Sequence, residues 1–331
     1  MLALDEKDLA QTERLLADLR DRYLSAEDSD LLFKASLFSR SLPPSVQDYL
    51  NRFRREEWGY AHISGHAGDE KGFGPTPSHW NNLPHPSPTL DRDLLLVLYG
   101  ALLGDVFGWA TQQNGRIVHD VLPIRENEGR QLGTAADVEL CWHTEDAFHP
   151  LRPDWVILAC IRNPTATATV VACVDDLVLS KDDVRILFEE RFRILPDNSH
   201  LPMHNSSASA SDFSKIETLL TASPSIALMS GDANRPYLRA DESFWAAADP
   251  SDTEAIDVLN RLTAEIRRNL REVRLHPGDF FFLDNFKAVH GRRPFVPRYD
   301  GTDRWLKRVC VTRDLRKSRS ERAGILRQVV G

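Results

Sequence analysis

The chain has 331 residues, 42% of them hydrophobic and 27% charged. That is the composition of a folded globular protein with enough apolar side chain for a sizeable core, and it excludes disorder as the main state. A net charge of −8 offers no global attraction for nucleic acid or an anionic membrane face. The longest apolar run, residues 94–103, is about half of the roughly 20 residues that a membrane span needs. The acidic start MLALDEKDLA lacks the basic and apolar regions of a secretory signal, so a cytoplasmic location is expected.

Taken in order, residues 4–23 carry Leu9, Leu15, Leu16 and Leu19 at helical spacing, and Pro43 and Pro44 suit the first turn of a helix running through Tyr49 and Phe53. A loop rich in Gly and Pro over 65–88 precedes an apolar helix predicted at 90–106. From Arg116 onward the pattern changes to short β-branched and aromatic runs, which predict strands at 117–122, 138–142, 155–161, 169–174, 226–229, 280–283 and 305–312. Between them lie one predicted helix, 253–273, and a polar loop, 196–214, too rich in Ser, Asn and His for a core. An amphipathic N-terminal stretch cannot bury its apolar face alone, so 1–331 is expected to be one domain, with 1–105 as a helical cover on a mainly β remainder. Cys141, Cys160, Cys173 and Cys310 lack close C-x-x-C pairing and read as reduced core residues, and the basic run 313–322 reads as a solvated end.

Among eleven histidines only His143 has a carboxylate two residues on, in His143-Thr144-Glu145. Chance alone provides about one or two such pairs in a chain of this composition, so context must supply the specificity. The triplet ends the strand-like run ELCWHTE, where residues two apart face the same side, so an imidazole and a carboxylate are presented together. His290, in VHGR after the apolar FFFLDN, supplies a second imidazole. Two His and one carboxylate on adjacent octahedral positions leave the opposite face open, the arrangement of oxygen-activating Fe(II) sites. Arg304 and Arg308, four apart in DRWLKRVCVTRD, suit a forked grip on a carboxylate. His149 reads as a packing residue behind the site.

Together, HTEDAFHP at 143–150, AVHGR at 288–292 and RYDGTDRWLKR at 298–308 resemble the clavaminate synthase-like Fe(II)/2-oxoglutarate oxygenases, above all the bacterial hydroxylases of free arginine, lysine and asparagine. The resemblance spans about residues 105–320. It implies an α+β, mainly β fold: a double-stranded β-helix, or jelly roll, over 106–320 with flanking helices and a lid loop near 196–214. It further implies His143, Glu145 and His290 as metal ligands, Arg308 as the holder of the distal carboxylate of 2-oxoglutarate, Arg304 as a second arginine, and Thr169 beside that carboxylate. Gln112, Asp197, Ser199 and Asp241 fall where such hydroxylases contact the amino acid. The strict D-x-D pair of the arginine-specific members is absent, because Ser243 follows Asp241 and Glu242.

The expected activity is therefore hydroxylation of a free, basic L-amino acid at Cβ or Cγ, with Fe(II), 2-oxoglutarate and O2, releasing succinate and CO2. Its partner is that small molecule, with no nucleic acid and no membrane. Glu145 argues against a halogenase, which vacates the carboxylate position. A desaturase or oxidative cyclase of the same fold and a non-catalytic cupin-like binding protein are the alternatives.

Overall fold

The computed structural model describes residues 1–66, 72–205, 209–324 and 327–331. The chain begins with β1 (Leu2–Ala3), followed by helices α1 (Glu6–Arg20), α2 (Ser29–Phe38) and α3 (Pro44–Arg55), strand β2 (Tyr60–Ser64) and helix α4 (Leu90–Leu103). Strands β3 (Asp105–Trp109), β4 (His119–Val121), β5 (Leu140–His143), β6 (Trp155–Arg162) and β7 (Thr169–Cys173) come next. Then come α5 (Lys181–Leu187), β8 (Phe192–Ile194), α6 (Ala210–Thr221), β9 (Met229–Asp232), β10 (Arg235–Leu238) and β11 (Trp245–Ala247). Helix α7 (Thr253–Asn269) leads into β12 (Arg271–Val273), β13 (Phe280–Asp284), β14 (Ala288–Arg292), β15 (Trp305–Thr312) and β16 (Val329–Val330).

Two sheets carry the architecture. The larger runs β1-β2-β13-β6-β15-β3-β16, with β4 also on β15, and the smaller runs β12-β7-β14-β5. Strand alternation sorts the side chains into layers. In β6, Ile157 and Ala159 join the core beneath α1 to α4, whereas Val156, Leu158 and Cys160 turn the other way and meet Val171 of β7 and Ala288 of β14. Phe280 and Phe282 of β13 likewise face the helices, and Phe281 and Leu283 face the second sheet. The far side of the smaller sheet, including Trp142, Ala172 and Val289, packs on α5, α6 and α7. The result is helices, sheet, sheet, helices, with a cavity between the sheets.

Several boundaries differ from the sequence expectations. The apolar helix stops at Leu103, because Gly104 caps it and β3 begins at Asp105, so Val106 lies in that strand. Helix α7 ends at Asn269, and the predicted helical residues 271–273 are the edge strand β12, paired with β7. The strand expected at 226–229 begins at Met229, and Ile226 makes only an isolated bridge to Phe192. Strand β2 falls within 1–105, the stretch expected to be helical cover, and its pairing with β13 is a tertiary contact. Helix α6 starts inside the polar stretch 196–214, capped by Ser209 and Asp212; residues 206–208 of that stretch lie outside the described residues. All four cysteines are thiols, but only Cys160 and Cys310 are buried. Arg322 of the basic run is buried, with its guanidinium on the Arg327 carbonyl, rather than solvated. Among the described residues no helix is long and apolar enough to cross a membrane.

Candidate active site

The alternation that buries Trp142 and Val289 against the helices turns their neighbours His143 and His290 into the space between the sheets. The two histidines are direct partners across β5 and β14, with ring centroids 4.6 Å apart. Gly291 permits the approach, since a Cβ there would meet the Leu140 carbonyl at 2.5 Å. Glu145 follows on a loop whose backbone is held from both sides by Asn285: the Glu145 amide donates to Asn285 Oδ1 at 2.7 Å, and Asn285 Nδ2 donates to the Glu145 carbonyl at 3.0 Å. Glu145 Oε2 then lies 3.5 Å from His290 Nε2 and 3.9 Å from His143 Nε2.

His143 Nδ1 meets the Cys141 carbonyl at 2.9 Å, which places the proton on Nδ1 and leaves Nε2 with its lone pair toward Glu145 and His290. One ligand atom from each of the three residues lies within 4.8 Å of the others. Burial disfavours the charged form of Glu145, yet Arg308, His290 and His143 together hold its carboxyl well below the usual carboxylate range.

The structure separates the two arginines. Arg308, facing inward from β15, donates to Glu145 Oε1, to Gln112 Oε1 at 3.1 Å and to His119 Nδ1 at 2.8 Å. Burial, reinforced by Arg308, depresses the His119 pKa and keeps the ring neutral, able to accept that bond. Arg304 is 4% exposed and donates to the Thr169 hydroxyl at 3.4 Å, while its Nε has no hydrogen-bond partner among the described residues. Burial pushes its pKa down to about 10. Arg292, the partner of Thr169 in the β14–β7 register, is pushed down to about 9 by burial and then by Arg304. Thr169 thus sits with Arg304 and Arg292, whereas the sequence reading had set it with Arg308.

The remaining predicted residues line the same cavity or its wall. Asp241 bridges His143 through the backbone on the other edge of β5. Strand β11 follows it. Burial pushes its carboxyl up to about 7 against the pull of His143, and Asp197 adds to the rise. Asp197 and Ser199 line the cavity with Asp241, Thr169, Arg304 and Arg308. Gln112 donates to Ser199 Oγ at 2.7 Å and to Asp146 Oδ1 at 3.2 Å. His149 packs on Trp109, with ring centroids 4.6 Å apart.

Sequence reasoning missed His119, Asp146, His200, Arg292 and Asn285. Arg292 and Asp146 were legible inside VHGR and HTEDAFHP, but nothing local marks the other three. Asp146, Asp197 and His200 form a second cluster of metal-ligating residue types. The Asp146 oxygens are already taken by Trp109 Nε1 at 2.6 Å, His200 Nε2 at 3.0 Å and Gln112.

His143, Glu145 and His290 thus bring two imidazoles and a carboxylate together between the sheets, and comparisons with known proteins give the family of the chain. The model for the taurine catabolism dioxygenase TauD, TfdA family matches residues 96–310, and the chain belongs to that family. It is 43% identical over 332 residues to an L-ornithine/L-arginine 3-hydroxylase of Catenulispora acidiphila, covering 97% of this chain and 96% of that protein. It is 37% identical to an enduracididine beta-hydroxylase of Streptomyces hygroscopicus, covering 99% of each. Among solved structures, the non-heme iron oxygenase OrfP in complex with Fe, succinate and (3S)-hydroxy-L-Arg aligns with a TM-score of 0.95 at 42% identity, over 100% of this chain and 99% of that one. The oxygenase resemblance drawn from three separated motifs is borne out.

Proposed function

We propose that the chain is an Fe(II)/2-oxoglutarate-dependent hydroxylase of a free, basic L-amino acid, acting at Cβ or Cγ and releasing succinate and CO2. The observation that carries this reading is the order of groups across the smaller sheet. An acidic edge at Asp241 leads through His143 and His290 to β7, where Thr169 meets Arg292 and Arg304. A dicarboxylate and a cationic side chain thereby find opposite charges on opposite sides of one metal site.

The donor set fits Fe(II): two neutral imidazole nitrogens and a carboxylate, with Glu145 Oε2 buried and lacking a hydrogen-bond partner among the described residues. His143, Glu145 and His290 would hold the metal, which supplies the oxidising chemistry that dioxygen and 2-oxoglutarate make available. The protein's own residues bind and orient. Arg304 is a buried cation with no acidic partner among the described residues; leaving such a charge uncompensated is costly, and a carboxylate relieves the cost. We therefore assign the distal carboxylate of 2-oxoglutarate to Arg304 and Thr169, with Arg292 adding positive potential. Arg308 spends one part of its fork on Glu145 and presents the rest toward Gln112, which suits the α-carboxylate and α-ammonium of the amino acid. Asp197 and Asp241 face the cationic end of the substrate, and Leu158, Leu306, Val121 and Phe244 keep the cavity wall apolar.

In this reading the whole chain is one oxygenase domain: a helical cover over 1–105 and a double-stranded β-helix over 106–320, with 196–214 as its lid. The activity of the Catenulispora relative at position 3 agrees with attack at Cβ. The test is a screen of the proteinogenic amino acids plus ornithine and citrulline with Fe(II), ascorbate and 2-oxoglutarate, read by product mass. A basic amino acid gaining one oxygen supports the reading; loss of two hydrogens would mark a desaturase, and no 2-oxoglutarate consumption with any substrate would overturn it.

A further inference from the structure

Asp146 has a positive φ of +49°, a left-handed conformation uncommon for a residue with a side chain, though Asp tolerates it better than most. It directly follows the Glu145 carboxylate assigned above to the metal. The side chain is 2% exposed and accepts three hydrogen bonds from two stretches of the chain: Trp109 Nε1 at the end of β3 and Gln112 Nε2 in the turn just beyond it, and His200 Nε2 from the 196–205 stretch. His200 is itself fully buried, with Nδ1 2.7 Å from the Thr111 hydroxyl. The Asp146 carboxylate only accepts, so Nε2 carries the proton given to it, and the Thr111 hydroxyl can pair with Nδ1 as donor or acceptor. Gln112 closes the circuit, because the same amide also donates to Ser199 Oγ.

We propose that Asp146 is a positioning residue through which the 196–205 stretch sets the orientation of Glu145. The three donors enforce the left-handed turn, and the turn aims the Glu145 carboxylate between His143 and His290. Gln112 is shared with Ser199, and His200 follows Ser199 directly and Asp197 by three residues; Ser199 and Asp197 line the substrate cavity. Seating of the amino acid against that stretch and correct presentation of Glu145 therefore belong to one hydrogen-bonded unit. The inference rests on the oxygenase reading for its chemical consequence, but the link itself is a property of the metal-free chain.

The experiment compares wild type with Asp146→Asn, His200→Ala and His200→Gln. In the metal-free proteins, hydrogen exchange at residues 196–205 and 143–149 is followed together. Both segments are expected to exchange faster in Asp146→Asn and His200→Ala, with the rest of the sheets unchanged. His200→Gln, whose amide can donate toward Asp146, should recover most of the protection. In the Fe(II)-loaded enzyme with a basic amino acid, the two damaging variants should form succinate in excess over hydroxylated product, whereas a merely destabilising change would lower both in proportion. Turnover to product should drop by about tenfold or more, the scale seen when groups behind metal ligands are removed. Wild-type exchange at 143–149 in His200→Ala, or an unchanged succinate-to-product ratio in both variants, would overturn the proposal. If wild type consumes no 2-oxoglutarate, the oxygenase reading fails instead, and the exchange measurement still decides the link.

Discussion

Arg304, just before β15 of the larger sheet, donates a 3.4 Å hydrogen bond to the hydroxyl of Thr169 on β7 of the smaller one. This cross-sheet contact distinguishes two arginines that the sequence presents as near equivalents. Arg304→Ala is expected to raise the 2-oxoglutarate concentration needed for half-maximal turnover by about thirtyfold or more, because stripping one partner from a buried charge pair costs about 2 kcal/mol at least. Arg308→Ala should instead raise the KM for the amino acid. A titration of 2-oxoglutarate into each anaerobic Fe(II)-loaded variant, read by visible absorption, separates the effects; normal binding in Arg304→Ala and weakened binding in Arg308→Ala would restore the assignment of Arg308 to the distal carboxylate.

His143→Ala, Glu145→Ala and His290→Ala each remove one of the three groups whose ligand atoms converge within 4.8 Å. Each variant is expected to lose stoichiometric Fe(II) binding and all measurable turnover. Undiminished turnover in any two of them would dismiss the metal assignment.

Asp241 reads the substrate's charge in this scheme. Replacing it by Asn should raise KM for the preferred basic amino acid by about tenfold, the loss of one compensated buried charge, while a neutral analogue such as citrulline suffers much less. The deciding quantity is the ratio of kcat/KM for the two substrates. An unchanged ratio in Asp241→Asn would mean that the basic preference comes from elsewhere.

Lys307 neighbours Arg308 on β15 but turns to the opposite face, where it is fully buried between Asp93 of α4 at 2.9 Å and Asp120 of β4 at 3.2 Å. Lys307→Ala leaves buried Asp93 without its cation and Asp120 with Arg116 alone. Thermal or denaturant unfolding should show a loss of about 3–5 kcal/mol, the usual result of removing one partner from a buried pair. A loss of only a few tenths would show that the site strand does not depend on this anchor to the helical cover.

Burial raises the Asp284 carboxyl from 3.8 to about 7 in the folded chain. The folded state therefore holds a proton that the unfolded state has released across that interval, and stability should decline as pH rises from about 4 to about 7, then level off. Asp284→Asn is expected to flatten this slope. Parallel pH profiles in wild type and variant, measured by denaturant midpoint, would assign the dependence to other groups.

How much of this was legible beforehand follows from the range of each signal. The side-by-side placement of His143 and Glu145 needs only strand alternation, and so does the layering of Phe280 to Leu283; both are properties of neighbouring residues. Helix α3 announces itself through Pro44 and its apolar spacing. The end of α4 and the splitting of 253–273 into α7 and β12 were not legible, because a strongly apolar or amphipathic run does not reveal where pairing with another strand takes over from helical hydrogen bonds. Strand β2 exists because β13 offers it partners, a fact absent from its own five residues.

The sequence by itself therefore determined the residue types of the site, the mainly β character of its frame and, through three separated motifs, the family. Only the tertiary structure decided that Thr169 meets Arg304, that Asn285 clamps the Glu145 backbone, and that Trp109, Gln112 and His200 converge on Asp146. The physical reason is one of length scale. Residue type and periodicity act over a few positions of the chain, whereas a hydrogen bond between side chains far apart in sequence forms only when sheet register and strand twist bring donor and acceptor within about 3 Å.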